Sequence, residues 1–98
     1  MTPPPAPTVS AVAAAVTADA SSSDATVTVD KLFTFGNSTA TDYDFAVTPA
    51  VTGVSVAANG TVTVLNATTT ATSATIKATN KTTPSVTATK EIVIAPKP

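Results

Sequence analysis

The chain has 98 residues, the length of one domain, and its formal net charge is −1. It contains no Cys, which excludes a disulfide framework, a thiolate nucleophile and a Cys-based zinc site. It also contains no His and only one Glu, which leaves few groups for proton transfer near neutral pH. Its basic residues are five scattered Lys rather than a clustered basic face, so we predict that it does not bind nucleic acid.

The start of the chain shows no targeting segment. Residues 1–5 lack the basic and apolar regions of a signal peptide. The Ala-rich stretch 11–20 is too short and too polar to cross a bilayer, so we predict no membrane partner. If Met1 is native, we expect the protein to be made in the cytoplasm and to stay there or leave by cell lysis. If Met1 is an addition, the chain is a module of something larger.

Residues 1–8 form a Pro-rich segment that favours polyproline II, a stiff conformation without internal hydrogen bonds. Two interpretations stay open, an interdomain linker and an arm that lies on a neighbouring subunit. The next segment, Val9–Ala18, is ambiguous, because its Val residues have helical spacing while every later segment has the pattern of a strand. We predict an irregular first strand here, with a helix as the alternative.

Residues 25–35 read as a strand with an interruption. Four apolar residues share one parity: Val27, Val29, Phe33 and Phe35. Leu32 breaks that parity, which predicts a bulge or bend near Asp30 and Lys31. A second strand follows over residues 43–47 with a polar outer face, and Pro49 ends it because Pro cannot donate to a sheet ladder.

The strongest local signal is a hairpin. Two alternating runs, Val54–Val56 and Thr61–Val64, flank Asn59 and Gly60. An Asn-Gly pair between such runs predicts a two-residue turn.

The last two strands complete the pattern. Ala74, Ile76 and Ala78 alternate with polar residues, residues 80–84 form a turn, and a final strand covers 86–94. About seven short strands at this spacing predict an all-β fold, an immunoglobulin-like β-sandwich. We place the sandwich at residues 9–95, between the arm at 1–8 and a C-terminal tail at 96–98.

Four stretches in the second half carry a family resemblance: Tyr43–Phe45, Val56–Thr63, Ala74–Thr79 and Glu91–Ile94. Together they resemble the aromatic strand, the hairpin and the last two strands of the bacterial immunoglobulin-like domain, group 2. That family occurs in intimin- and invasin-type surface proteins and in phage structural proteins. It usually has Trp where Tyr43 or Phe45 stands here, and residues 9–24 do not match its first half. The resemblance implies a sandwich that serves as a structural module.

The acidic residues offer one candidate site. Asp42 and Asp44 lie two apart in the sequence, so on a strand both would face one side. Such a pair, joined by Asp19 or Asp24, could bind calcium or serve acid–base chemistry. The competing interpretation is the solvated face of a strand, which we favour. We therefore predict no catalytic, cofactor or metal residue.

Three further patterns have an ordinary structural explanation. Lys31 and an Asn could form an isopeptide bond with the help of the Glu91 carboxyl group. Glu91 is better explained as an edge charge that discourages aggregation. All four Asn lie in Asn-X-Ser/Thr sequences, which we interpret as turn chemistry rather than glycosylation sites. The four aromatic residues could form a sugar-binding platform, yet a small sandwich needs them in its core.

These observations predict a non-enzymatic structural module. The first hypothesis is a phage virion decoration or auxiliary capsid or tail protein, whose arm at residues 1–8 contacts capsid or tail subunits. The alternatives are a spacer repeat from a bacterial surface adhesin, located at the cell surface, and a module that binds surface glycans or a protein partner through an edge strand.

Overall fold

The computed structural model describes residues 5–97, so the first half of the predicted arm and Pro98 of the predicted tail lie outside the described residues. Within residues 5–97 there are two 3₁₀ turns, Val29–Lys31 and Ala40–Asp42, and nine strands. The strands are β1 (Thr8–Ala11), β2 (Thr17–Asp19), β3 (Ala25–Val27), β4 (Phe33–Gly36), β5 (Tyr43–Val47), β6 (Val54–Val56), β7 (Val62–Val64), β8 (Ser73–Asn80) and β9 (Thr87–Ala95). None of the helical segments in this part of the chain has the length and hydrophobicity that a membrane-spanning helix requires.

The strands form a four-stranded sheet in the order β2-β9-β8-β5, a three-stranded sheet in the order β3-β7-β6, and the pair β1-β4. Buried side chains from all three pack into one hydrophobic cluster. The largest fully buried members of this cluster are Tyr43, Leu32, Ile76, Ile92, Val62 and Val64. The predicted all-β fold is confirmed.

The alternation in the sequence maps directly onto the two faces of the sheet. In β8, Ala74, Ile76 and Ala78 are buried, while Lys77 between them is exposed. Because successive side chains of a strand point to opposite faces, one face joins the core and the other meets water. The Thr-rich positions lie mainly on the outer faces, where a β-branched residue with a hydroxyl suits both the strand and the solvent.

The predicted interruption near Asp30 and Lys31 is confirmed. The 3₁₀ turn at Val29–Lys31 separates β3, which pairs with β7, from β4, which pairs with β1. The turn allows Leu32 and Phe33, which are neighbours in sequence, to be buried together. A continuous strand would have placed one of them on the outer face.

The ambiguous segment after the arm folds as two strands rather than one. β1 runs antiparallel to β4, and β2 runs parallel to β9 in another sheet. β1 begins at Thr8, which is the last residue of the predicted arm. Together with the division of residues 25–36, this gives nine strands where the sequence predicted about seven.

The hairpin between β6 and β7 has a three-residue loop, so the predicted two-residue turn is wrong. Ala57 N–H donates to Thr61 O at 2.8 Å, which leaves Ala58, Asn59 and Gly60 as the loop. Gly60 has φ of 87°, whereas Asn59 is not in the left-handed region. A two-residue type I′ turn needs positive φ at both central residues, but a three-residue loop needs it only at its glycine.

Candidate functional site

Asp42 and Asp44, the candidate pair in the sequence, do not face one side of a strand in the structure. Asp42 lies in the 3₁₀ turn that precedes β5, where its carboxylate accepts the Thr39 N–H at 2.8 Å and caps the turn. Asp44 lies on β5 with an exposed side chain. The expectation that both occupy one strand face is therefore wrong, because Asp42 lies in the 3₁₀ turn and its side chain caps that turn.

Asp19 and Asp30 bond to groups near them in the sequence, whereas Asp24 bonds to a distant segment. Asp19 accepts both the N–H and the hydroxyl of Ser21, and these hydrogen bonds lower the pKa of Asp19 below its ordinary value. A hydrogen bond from the Thr28 hydroxyl lowers the pKa of Asp30 in the same way. Asp24 accepts the Asn66 N–H at 2.8 Å. Residues 5–97 contain no group of three or more His, Cys, Asp or Glu side chains that could hold a metal ion.

The four Asn residues lie in or beside turns; two bond to the backbone of their own turn and two to distant backbone carbonyl groups. Asn59 Oδ1 accepts Thr61 N–H, and Asn80 Oδ1 accepts two successive N–H groups of the 80–86 turn. Asn37 has φ of 53° and donates to Ala6 O, while Asn66 donates to Ala20 O. These contacts support turn chemistry, since Asn tolerates the left-handed region and its side chain mimics a turn.

The aromatic residues cluster in and against the core. Tyr43 and Phe33 are buried, while Phe35 and Phe45 are half-buried. The rings of Phe35 and Tyr43 are closest, with centroids 4.9 Å apart. The Tyr43 hydroxyl lies 3.0 Å from Ser38 Oγ and donates to Thr8 O at 3.2 Å. The cluster therefore fills the sandwich and fastens the start of β1, and it presents no flat aromatic surface.

Lys31 and Glu91, the candidate residues for an isopeptide bond, lie on the surface in different elements. Lys31 is exposed in its 3₁₀ turn, and Glu91 is exposed on β9 opposite Thr75 of β8. Glu91 thus occupies an outer sheet face. The expectation of an edge charge is wrong, because β9 lies between β2 and β8 in the sheet.

The functional geometry that the sequence did not reveal is the pairing of β2 with β9. These strands belong to opposite ends of the described chain, yet they run parallel, with Thr17 opposite Val93 and Asp19 opposite Ala95. Two flanking hydrogen bonds extend the ladder, from Val93 N–H to Val16 O and from Ala20 N–H to Ala95 O, both at 2.9 Å. No local sequence pattern signals a contact between residues so far apart in the chain.

A lysine fastens the connection between β1 and β2. Lys90 Nζ donates to Val12 O at 2.7 Å and to Ala14 O at 2.8 Å. The ammonium group projects from β9 and binds two carbonyl groups of a segment that has no sheet partner of its own. Since hydrogen bonds from a charged donor are stronger than neutral ones, this contact holds the crossover segment against β9.

The two ends of the sandwich are distinct. At one end, the start of β1 contacts Tyr43, which pairs with Asn80 at the end of β8. At the other end, the last residue of β9, Ala95, bonds to Ala20. The first and last strands therefore carry the chain in at one end of the sandwich and out at the other.

A shallow, open pocket lies at the first of these ends. Its lining residues are Pro7, Asn37, Ser38, Asp42, Asn80, Thr82 and Thr83. Asp42 and Asn80 already bond to the backbone of their own turns, so the pocket offers little that could recognise a small ligand.

No protein-family model matches the chain, and no curated protein is significantly similar to it.

Proposed function

We propose that this chain is a non-enzymatic structural module with immunoglobulin-like topology, related to the bacterial group 2 domains, that transmits force between its two ends. The observation that carries the proposal is the parallel pairing of β2 with β9. Tension applied through the chain on either side of the sandwich pulls these adjacent strands in opposite directions. Their hydrogen bonds are then loaded together in shear rather than broken one after another.

The strand order supports the immunoglobulin-like topology. In such sandwiches the first, second, fifth and fourth strands form one sheet, and the third, sixth and seventh form the other. With β1 and β2 counted as the divided first strand, and β3 and β4 as the divided second, the second, fifth and fourth strands are β3, β7 and β6, and they lie in one sheet. The third, sixth and seventh strands are β5, β8 and β9, and they lie in the other. The first strand is divided, so that β1 pairs with β4 and β2 joins β9.

The pairing can be tested with two proline substitutions that differ by one residue. In the parallel ladder, the backbone of Ala18 faces β9, whereas that of Thr17 faces away from it. A18P removes a ladder donor, and T17P removes an N–H that points toward solvent. In single-molecule pulling through the ends, we expect A18P to lower the unfolding force clearly and T17P to leave it near the wild-type value. Equal forces for the wild type and A18P would overturn the proposal.

We place this module in a phage virion, as a decoration or auxiliary capsid or tail protein that is held through its N-terminal arm. The described part of that arm supports the placement, because Pro7 is half-buried and Ala6 O accepts a hydrogen bond from Asn37. Residues 5–7 therefore lie at the end of the sandwich that carries the start of β1.

Removal of residues 1–5 keeps the contact of Asn37 with Ala6, and it tests the arm directly. We expect the shortened protein to melt like the full chain but to be missing from virions purified by sedimentation. Full incorporation of the shortened protein would contradict the placement.

A spacer repeat of a bacterial surface adhesin is the second candidate. The exit of the chain at opposite ends of the sandwich favours it, because such modules can be joined in series. Tandem copies in the parent protein, and a contour length that rises linearly with copy number, would support the spacer over the virion protein.

A further inference from the structure

We propose that β5 is a self-association edge, through which two copies of the chain join their four-stranded sheets across a two-fold axis. β5 is the last strand in the order β2-β9-β8-β5, so within residues 5–97 it has a sheet partner on one side only. An edge of this kind presents unpaired N–H and C=O groups to any suitable strand. The inference goes beyond the proposed mechanical role and does not depend on it.

The register of β5 with β8 shows which backbone groups are free. Lys81 N–H donates to Asp42 O, and Thr48 N–H donates to Thr75 O, at the two ends of this ladder. Since hydrogen-bonded pairs alternate along an antiparallel ladder, Asp44 and Ala46 also face β8. The backbones of Tyr43, Phe45 and Val47 consequently face the open edge.

Only part of this edge is available. Tyr43 is fully buried, and its N–H donates to Ala40 O in the preceding 3₁₀ turn. Phe45 and Val47 are half-buried, with Ala46 exposed between them. The free stretch is therefore the three residues Phe45, Ala46 and Val47.

This stretch is complementary to itself in one register. With the two-fold axis at Ala46, Phe45 of each copy pairs with Val47 of the other, and all of their free N–H and C=O groups find partners. A register centred on Phe45 would need the backbone of Tyr43, which is already used. A register centred on Asp44 would bring two carboxylates face to face, which is unfavourable.

Ala46 makes the chosen register possible. In an antiparallel ladder the residue between two hydrogen-bonded pairs approaches its opposite residue to about 4.5 Å between Cα atoms. The two Ala46 methyl groups meet there without charge or bulk. The contact is short, so we expect a weak dimer that forms only at high protein concentration.

Charges introduced at Ala46 give a sharp test. A46D and A46K each bring like charges together at the axis and should prevent association, whereas an equimolar mixture of the two should restore it as a heterodimer. In its own sheet Ala46 lies opposite Lys77, so A46D adds a favourable pair to the monomer and its loss of association will not reflect unfolding. T26D, on an exposed position of β3, is the matched control and should associate like the wild type.

Sedimentation equilibrium from micromolar to low millimolar concentration measures association, and amide exchange locates it. We expect the Phe45 and Val47 amides to exchange rapidly in dilute protein and to become protected in concentrated protein. The Ala46 amide, which faces β8, should be protected in both. A wild type that stays monomeric throughout, a dimer that persists in A46K, or a mixture of A46D and A46K that stays monomeric would each overturn the proposal.

Discussion

Replacement of Gly60 by Ala should destabilise the fold strongly, and the reason can be worked out from the hairpin loop. Gly60 is buried with φ of 87°, where an L-residue other than glycine pays about 1–2 kcal/mol in backbone strain. A Cβ added at Gly60 would lie 2.5 Å from Val29 Cγ2 and 3.2 Å from Phe45 Cε2. Overpacking of this kind costs about 1–3 kcal/mol. The sum is a loss of about 2–5 kcal/mol in the free energy of unfolding.

Urea unfolding of G60A, V29A and the double variant separates the two causes. V29A removes Val29 Cγ2, the nearest clashing atom, but leaves Val29 Cβ at 2.7 Å and leaves the backbone strain. G60A should therefore cost less in the V29A background than in the wild type, by about 0.5 kcal/mol or more. A cost below about 0.5 kcal/mol in the wild type would refute the three-residue loop as described, because that value is typical of an unremarkable surface change. The same cost in both backgrounds would refute the steric part alone.

Three other predictions concern single side chains. Thr69 is buried and its Oγ1 has no hydrogen-bond partner within residues 5–97, so T69V should raise the free energy of unfolding by about 1 kcal/mol, measured in urea; a loss would show that the hydroxyl is satisfied. Y43F removes the bond to Thr8 O and should lower stability by about 1 kcal/mol, with faster exchange of the β1 amides; unchanged exchange would contradict the fastening of β1. Because the folded pKa values of Asp19 and Asp30 lie below the ordinary value of 3.8, their stabilisation is complete above that value and is lost as pH falls through the lower folded values. The urea midpoint should therefore fall on acidification below about pH 4, and less steeply in a D19N/D30N variant, whereas an equally steep fall in that variant would contradict the assignment.

The sequence was informative where structure depends on near neighbours. Alternation identified β8 and β9, and the break in parity at Leu32 located the turn at Val29–Lys31. Both features follow from the fixed two-residue period of a strand, which any change of direction must disturb.

The sequence was less informative where a local signal has two solutions. Asn59-Gly60 suits both a two-residue and a three-residue loop, and in the second Gly60 lies where Val29 and Phe45 leave no room for a Cβ. Asp42 could extend β5 or cap the turn before it, and the Thr39 N–H within reach favours the cap. Tertiary and capping contacts decided both cases, and neither is visible in the pattern of apolar residues.

Long-range contacts were beyond the reach of the pattern altogether. The Lys90 side chain bonds to carbonyl groups of Val12 and Ala14, more than seventy positions earlier in the chain. The parallel partner of β2 is equally distant. The side-chain spacing of a strand says which face is buried but not which strand lies beside it.

The central claim, that force along the chain loads β2 and β9 in shear, is tested most directly by changing the direction of pulling. Handles at the two ends of the protein apply shear. Handles at Thr72 and Lys97 unzip β8 from β9 starting at one end, since Thr72 O accepts the Ile94 N–H at 2.8 Å. The account predicts an unfolding force several-fold higher for the end-to-end geometry, and an end-to-end force equal to or below the unzipping force would contradict it.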